Sequence, residues 1–293
     1  MIISVINHTN GRLSDEEVQT ANRAINRQIT EDFEPYWSLS ARLRLEGRAG
    51  PQPNTLDLPD MRGDAVLYIW DKTDVPGALG YHDRNFAGIP FGFIFLDLIE
   101  KLHESWTVTL SHEALEAIAD PEVNLLVQGP HPGDPSRDVF HWYEMCDAVQ
   151  AESYKIDGIE VSNFVLPLYF TGGEETSGRN DFLGRLHNGQ TLRSFRVNPG
   201  GYVGFYDPVL GKHDTYSMKA DAVSIYRMEI KSLAREARRA VRHTLVTTGK
   251  GVPKPGAAAR VKGTKLERPK GARYKKQTLK QTEALTGVSS RNT

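Results

Sequence analysis

The residues best suited to chemistry lie in one stretch, Ser111-His-Glu-Ala-Leu-Glu-Ala-Ile-Ala-Asp-Pro121. On an α-helix His112, Glu116 and Asp120 are spaced four residues apart and climb one face, drifting about 40° per step. Three metal-competent side chains then share a stripe on a helix otherwise lined by Val108, Leu110, Leu115 and Ile118. Burying one unpartnered carboxylate costs several kcal/mol, and two close together cost more through repulsion. A divalent cation removes that cost. Glu113 projects about 100° around the helix from His112, where it can take a proton from water activated beside it.

The pattern departs from H-E-x-x-H, because the fourth residue after His112 is Glu116, giving H-E-x-x-E. Glutamate also ligates zinc. The exchange makes the site harder and narrows the advantage of zinc over manganese or iron. A second cluster, His141-Trp-Tyr-Glu-Met-Cys-Asp147, places residues 141, 144 and 147 on one face if the segment is helical. Cys146, beside two acids, is poorly placed to be a thiolate and reads as core packing.

Taken together, Ser111-His-Glu-x-x-Glu-x-x-x-Asp-Pro121, Tyr143-Glu-x-Cys-Asp147 and Val161-Ser-Asn-Phe-Val-x-Pro167 resemble a bacterial and phage group with a zincin-like motif. That group is classed with the metallopeptidases, and the similarity spans about residues 60–210. The spacing of Glu144 and Asp147 also resembles the gluzincin layout. The resemblance implies a metal held by His112, Glu116 and Glu144, with Glu144 carried on a second helix. Glu113 is then the catalytic base, and Asp147 and Asp120 orient the ligands through hydrogen bonds. It further implies a strand such as Phe91–Leu96 lying along the cleft above the motif helix and taking up peptide by strand addition. His82, Tyr143 and Tyr202 are candidate contacts to substrate or to a tetrahedral oxyanion.

The elements that must position these residues follow from local pattern. Residues 1–6 read as a strand, and Ser14 with Glu17 forms a capping box that opens a helix ended by Pro35. Alternation from Leu39 to Leu45 and the run Ala65–Trp70 predict strands. Gly77–Asp83 reads as a loop, and Pro90–Leu96 as a strand whose Pro90 and Gly92 suggest an edge or bulge. The motif helix runs from Trp106 to Ala119 and stops at Asp120-Pro121. Beyond it the sequence predicts a polar loop over 122–140 and a helical turn over 141–147. Strands follow at Tyr154–Val161 and Phe164–Phe170, then a hairpin of Phe195–Val197 with Tyr202–Tyr206, and a helix from Ala220 to Val246.

The class is therefore α+β: a zincin-like mixed sheet with a buried motif helix, then a second strand and helix region and a disordered basic tail. Residues 1–248 form the metallopeptidase-like domain, with a candidate sub-boundary near 121–140, and residues 249–293 the tail. Twelve basic and two acidic side chains fall in 250–293, leaving 24 basic and 35 acidic ones before it. Such a tail solubilises an acidic body more readily than it binds nucleic acid, having Tyr274 alone to stack on a base. At 39% hydrophobic residues the chain can build a core, and no apolar run reaches membrane-span length. With one cysteine no intrachain disulfide forms, so a reducing cytoplasm is expected. The function expected is a zinc-dependent peptidase, with manganese or iron as other metals, acting on a peptide or protein. The alternative is a non-catalytic zincin fold that binds a protein partner and keeps a structural metal or an acidic network. Oligomeric state is not legible.

Overall fold

The structure, a computed structural model, describes residues 1–46, 63–72, 79–84, 88–171 and 179–218. The expected helix over 220–246 and the basic tail lie outside the described residues. Within them the chain is a mixed α+β protein with three sheets and few helices, and no helix is long and apolar enough to cross a membrane.

Strand β1 (Ile2–His8) is buried from Ile3 onward. Helix α1 (Asp15–Arg27) opens on the Ser14/Glu17 capping box in both directions. It does not run on to Pro35. A π-helical turn (Gln28–Phe33) and a short helix α2 (Glu34–Trp37) follow, with Pro35 in the first turn of α2, where its missing N–H costs nothing. Strands β2 (Arg42–Leu45), β3 (Ala65–Trp70), β4 (Gly80–Arg84) and β5 (Pro90–Phe95) complete a five-stranded sheet in the order β2-β1-β3-β5-β4. Its first four positions are parallel, and β4 runs antiparallel at the edge.

Two expectations are corrected here. Gly80–Arg84 is a strand, not a loop, and it occupies the edge predicted for Phe91–Leu96. β5 instead lies between β3 and β4, and Gly92 is neither edge nor bulge. It sits opposite His82, where an added Cβ would approach Leu67 Cδ2 at 2.6 Å, the Tyr81 carbonyl at 2.8 Å and His82 Cβ at 3.3 Å.

Alternation sorts the sheet into two faces. Val66, Tyr68, Trp70, Tyr81, Phe93 and Phe95 form an aromatic face, with Trp70 and Phe93 ring centroids 4.4 Å apart. Ala65, Leu67, Ile69 and Ile94 join the main core on the other face. After α3 (Leu96–Lys101), helix α4 (Trp106–Ala119) packs on that second face against β3, β4 and β5.

The second region also differs from expectation. Residues 122–140 are not a loop: β6 (Leu126–His131) and β7 (Asp134–Trp142) form a hairpin. It pairs with β10 (Tyr202–Asp207), which pairs with β11 (Lys212–Ser217), while Phe195–Val197 is not a strand. The stretch 154–170 holds a hairpin of β8 (Ser153–Ile156) and β9 (Ile159–Ser162), then a 3-10 turn at Pro167–Phe170. β9 packs on α4, and one core draws residues from Ile3 to Val203, across the sub-boundary expected near 121–140.

Helix and edge strand meet at Gly80. A Cβ there would come within 2.7 Å of Thr109 Cγ2, 2.8 Å of the Phe93 carbonyl and 3.0 Å of Glu113 Oε1. Gly80→Ala should therefore destabilise the protein by about 1–3 kcal/mol through overpacking, read as a lower urea midpoint. An unchanged midpoint would show that β4 and α4 part at that point without cost.

Candidate metal centre

The azimuth of α4 is set by polar contacts on the side away from the sheet. Thr107 Oγ1 donates to the Glu160 carbonyl at 2.6 Å. Ser111 Oγ donates to Gln28 Oε1 at 2.6 Å and accepts the Ser162 N–H at 3.1 Å, while Gln28 Nε2 donates to the Ser162 carbonyl at 2.7 Å. This closed, fully buried ring fixes the residue immediately before His112. At the far end Asp120 accepts the Leu125 N–H at 2.8 Å and turns the chain towards β6. Burial raises the Asp120 carboxyl above its ordinary range, against that backbone bond.

Three elements converge beside the middle of this helix. Because Tyr81 belongs to the aromatic face, Gly80 and His82 point from β4 towards α4. His82 Nδ1 lies 3.1 Å from Glu113 Oε2 and 3.6 Å from Glu116 Oε2, and its Nε2 lies 3.7 Å from Glu144 Oε2. His112 Nε2 lies 3.2 Å from Glu116 Oε2 and 3.3 Å from Asp147 Oδ1. The loop carrying Glu144 and Asp147 is tied to the helix by the Cys146 N–H, which donates to Glu116 Oε1 at 3.1 Å. A narrow cleft lined by Trp142, Glu144, Asp147, Tyr169 and Val203 lies alongside.

The cluster is almost dry. His82, His112, Glu113, Glu116 and Asp147 are all buried, and Glu144, with a side chain 16% exposed, is its opening to solvent. Burial opposes a charge on His82, but the Glu113 hydrogen bond and the charges of Glu144, Glu113 and Glu116 outweigh it and raise its pKa to about 9. Burial also pushes the Cys146 thiol well up.

Some of these donors have the spacing of ligands to a divalent cation. Bonds of 2.0–2.2 Å in a tetrahedron separate neighbouring ligand atoms by about 3.3–3.6 Å, and the His112–Glu116 and His112–Asp147 separations are of that size. Ligand atoms of His112, Glu116 and Cys146 lie within 4.8 Å of one another, as do those of His82, Glu113 and Glu116.

No family model matches the chain, nor does any curated protein or solved structure.

The structure brings together His82, His112, Glu113, Glu116, Glu144 and Asp147. It corrects how the last two arrive. Residues 141–147 are not a helical turn: His141 and Trp142 end β7, and an irregular turn leads into a 3-10 turn at Asp147–Val149. Glu144 therefore faces His82, while Asp147 reaches His112. Tyr143 packs its ring against Trp37 and Phe170, and Tyr202 opens β10 as a buried residue of the second sheet. Sequence reasoning undervalued His82. Its signal was the alternation Gly80-Tyr-His-Asp opposite a side-chain-free Gly92.

His141 leaves the cluster altogether. Its Nε2 lies 3.0 Å from the Pro130 carbonyl and its ring packs on Phe195. Burial lowers its pKa to about 4, against about 6.5 in an unfolded chain. The folded state thus resists a proton that the unfolded state accepts. Stability from this group is complete above pH 6.5 and is lost as pH falls from there towards 4. His141→Gln should flatten that part of the profile of urea midpoint against pH; an identical acid slope in variant and wild type would show that His141 does not titrate this way.

Proposed function

We propose that the chain is a metal-dependent hydrolase, most simply a zinc peptidase. The observation that carries this reading is a buried His112 whose Nε2 faces Glu116 and Asp147 at 3.2 and 3.3 Å, with Glu113 adjacent on the same helix. His112 and Glu116 would hold the ion with a third donor from the loop, where Asp147 approaches His112 Nε2 at 3.3 Å and Cys146 lies within 4.8 Å of both. Zinc suits the mixed nitrogen and oxygen set, and manganese or iron also fits its oxygen-rich character. Bound there, the cation would polarise a carbonyl and make water acidic enough to attack at neutral pH.

The remaining work falls to the chain's own side chains. Glu113 Oε2, held by His82 Nδ1 at 3.1 Å, faces the cluster and accepts the water's proton. It returns that proton to the leaving amine. His82, from the strand facing the helix, orients Glu113 and presents a second nitrogen to the reaction volume. β4 is the edge of the sheet among the described residues, so an extended peptide could pair beside His82, which supports peptide as the substrate class. The zincin-like resemblance of the H-E-x-x-E helix points the same way.

Four variants test this. His112→Ala should remove the ion held beside it and abolish cleavage, and Glu116→Ala and Asp147→Ala should weaken metal binding severely. Glu113→Gln should keep the ion beside His112 and lower cleavage of a mixed peptide library by roughly 10²-fold or more. Wild-type protein without a tightly held ion, or His112→Ala with wild-type metal stoichiometry and cleavage, would overturn the hydrolase reading.

A further inference from the structure

The ligands around His112 account for only half of the cluster. On the other side of Glu116 stands a second convergence, His82 Nδ1 with Glu113 and Glu116, whose ligand atoms also lie within 4.8 Å of one another. Glu116 Oε2 belongs to both, at 3.2 Å from His112 Nε2 and 3.6 Å from His82 Nδ1. The far nitrogen of His82 points to the same conclusion. Nε2 has no hydrogen-bond partner among the described residues, although His82 is only 4% exposed. Glu144 Oε2 stands 3.7 Å from it, slightly too far for a bond. A metal-ligating imidazole characteristically gives its other N–H to a carboxylate, which fixes the tautomer. Contraction of the Nε2–Glu144 gap would leave the Nδ1 lone pair directed at Glu113 and Glu116.

We propose that the centre takes two divalent cations sharing Glu116: one at His112, the other at His82 and Glu113, with Glu144 holding the His82 ring from behind. This deepens the hydrolase reading and rests on it for the first ion. The charges favour it. Glu113, Glu116, Glu144 and Asp147 carry four negative charges when ionised; one divalent cation with a protonated His82 leaves one of them uncompensated in a dry site, and two cations with neutral imidazoles neutralise the set. The second position offers one imidazole and two carboxylates, a donor set for Mn2+ and Fe2+ as well as Zn2+. It also engages Glu113, so in this chain hydrolysis is fastest with one ion bound and falls as the second enters.

The test uses the full chain stripped with chelator and titrated with Zn2+ and, separately, Mn2+, bound metal being counted by elemental analysis after desalting. Wild type should take two equivalents. His82→Gln and His82→Ala should each take one, and Glu116→Gln should lose the second equivalent and hold the first at least tenfold more weakly. Mn2+ electron paramagnetic resonance supplies a readout independent of the variants. The six-line signal seen at one equivalent should give way at two to the broadened spectrum of a coupled pair. Saturation of wild type at one equivalent, or a second equivalent that leaves two uncoupled six-line signals, would overturn the shared site and leave the single-ion hydrolase standing. Wild type binding no ion would overturn both.

Discussion

Glu113 and Glu116 enter the same corner from one turn of α4, with oxygens within 4.8 Å of each other by way of the His82 group. At an effective dielectric of about 20, two full charges at that distance repel by roughly 3–4 kcal/mol. Glu144 and Asp147 add to this from the adjoining loop. A fold is only marginally stable, so such a set is kept only with counter-charge or with some of its carboxyls protonated. His82 supplies part of it, which is why its pKa rises although burial acts in the opposite sense. The N–H of Cys146 supplies a little more at Glu116 Oε1. A cation at the cluster would supply the rest, and the other features of the region make sense as means of holding the donors still.

Those means are built into places with no chemistry of their own. Gly80 and Gly92 let the edge strand lie flat on α4 and clear the space in front of His82. The ring of Ser111, Gln28 and Ser162 locks the helix from behind, and Gln28 is the first residue of the π-helical turn that breaks the helical run after α1. The wider turn carries the chain from α1 to Trp37, whose indole N–H donates to the Val165 carbonyl at 3.0 Å. The aromatic face of the sheet stiffens β3, β4 and β5 as a unit. Displacing any of these would move a ligand without touching it.

What the sequence made legible was what local forces decide. The capping box at Ser14 and Glu17 opened α1, and the apolar run ended by Asp120-Pro121 defined α4 with its H-E-x-x-E stripe. β3 was legible because all six of its residues are apolar and buried. The failures are tertiary. β4 is five residues with glycine, histidine, aspartate and arginine in it, a strand only because β5 offers it hydrogen bonds. β6 and β7 escaped notice because their hairpin is largely exposed and shows no apolar alternation. The 141–147 segment has the spacing of a helix face, yet β10 draws its first residues into a sheet, and the turn that follows splits Glu144 from Asp147.

That split gives the two histidines different standing. His112 meets Glu116 four residues along its own helix, so its half of the centre exists wherever α4 forms. His82 reaches the cluster only when β4 is paired to β5 and both are packed on α4. An ion spanning His112, Glu116 and a donor from the loop after β7 would join the helix to the second sheet, and one at His82 would join the helix to the edge of the first. Ligands that bind the folded chain and not the unfolded one stabilise by mass action. Metal here would therefore do more than chemistry: it would tie together three elements that distant parts of the sequence supply, at the point where like charges push them apart most strongly.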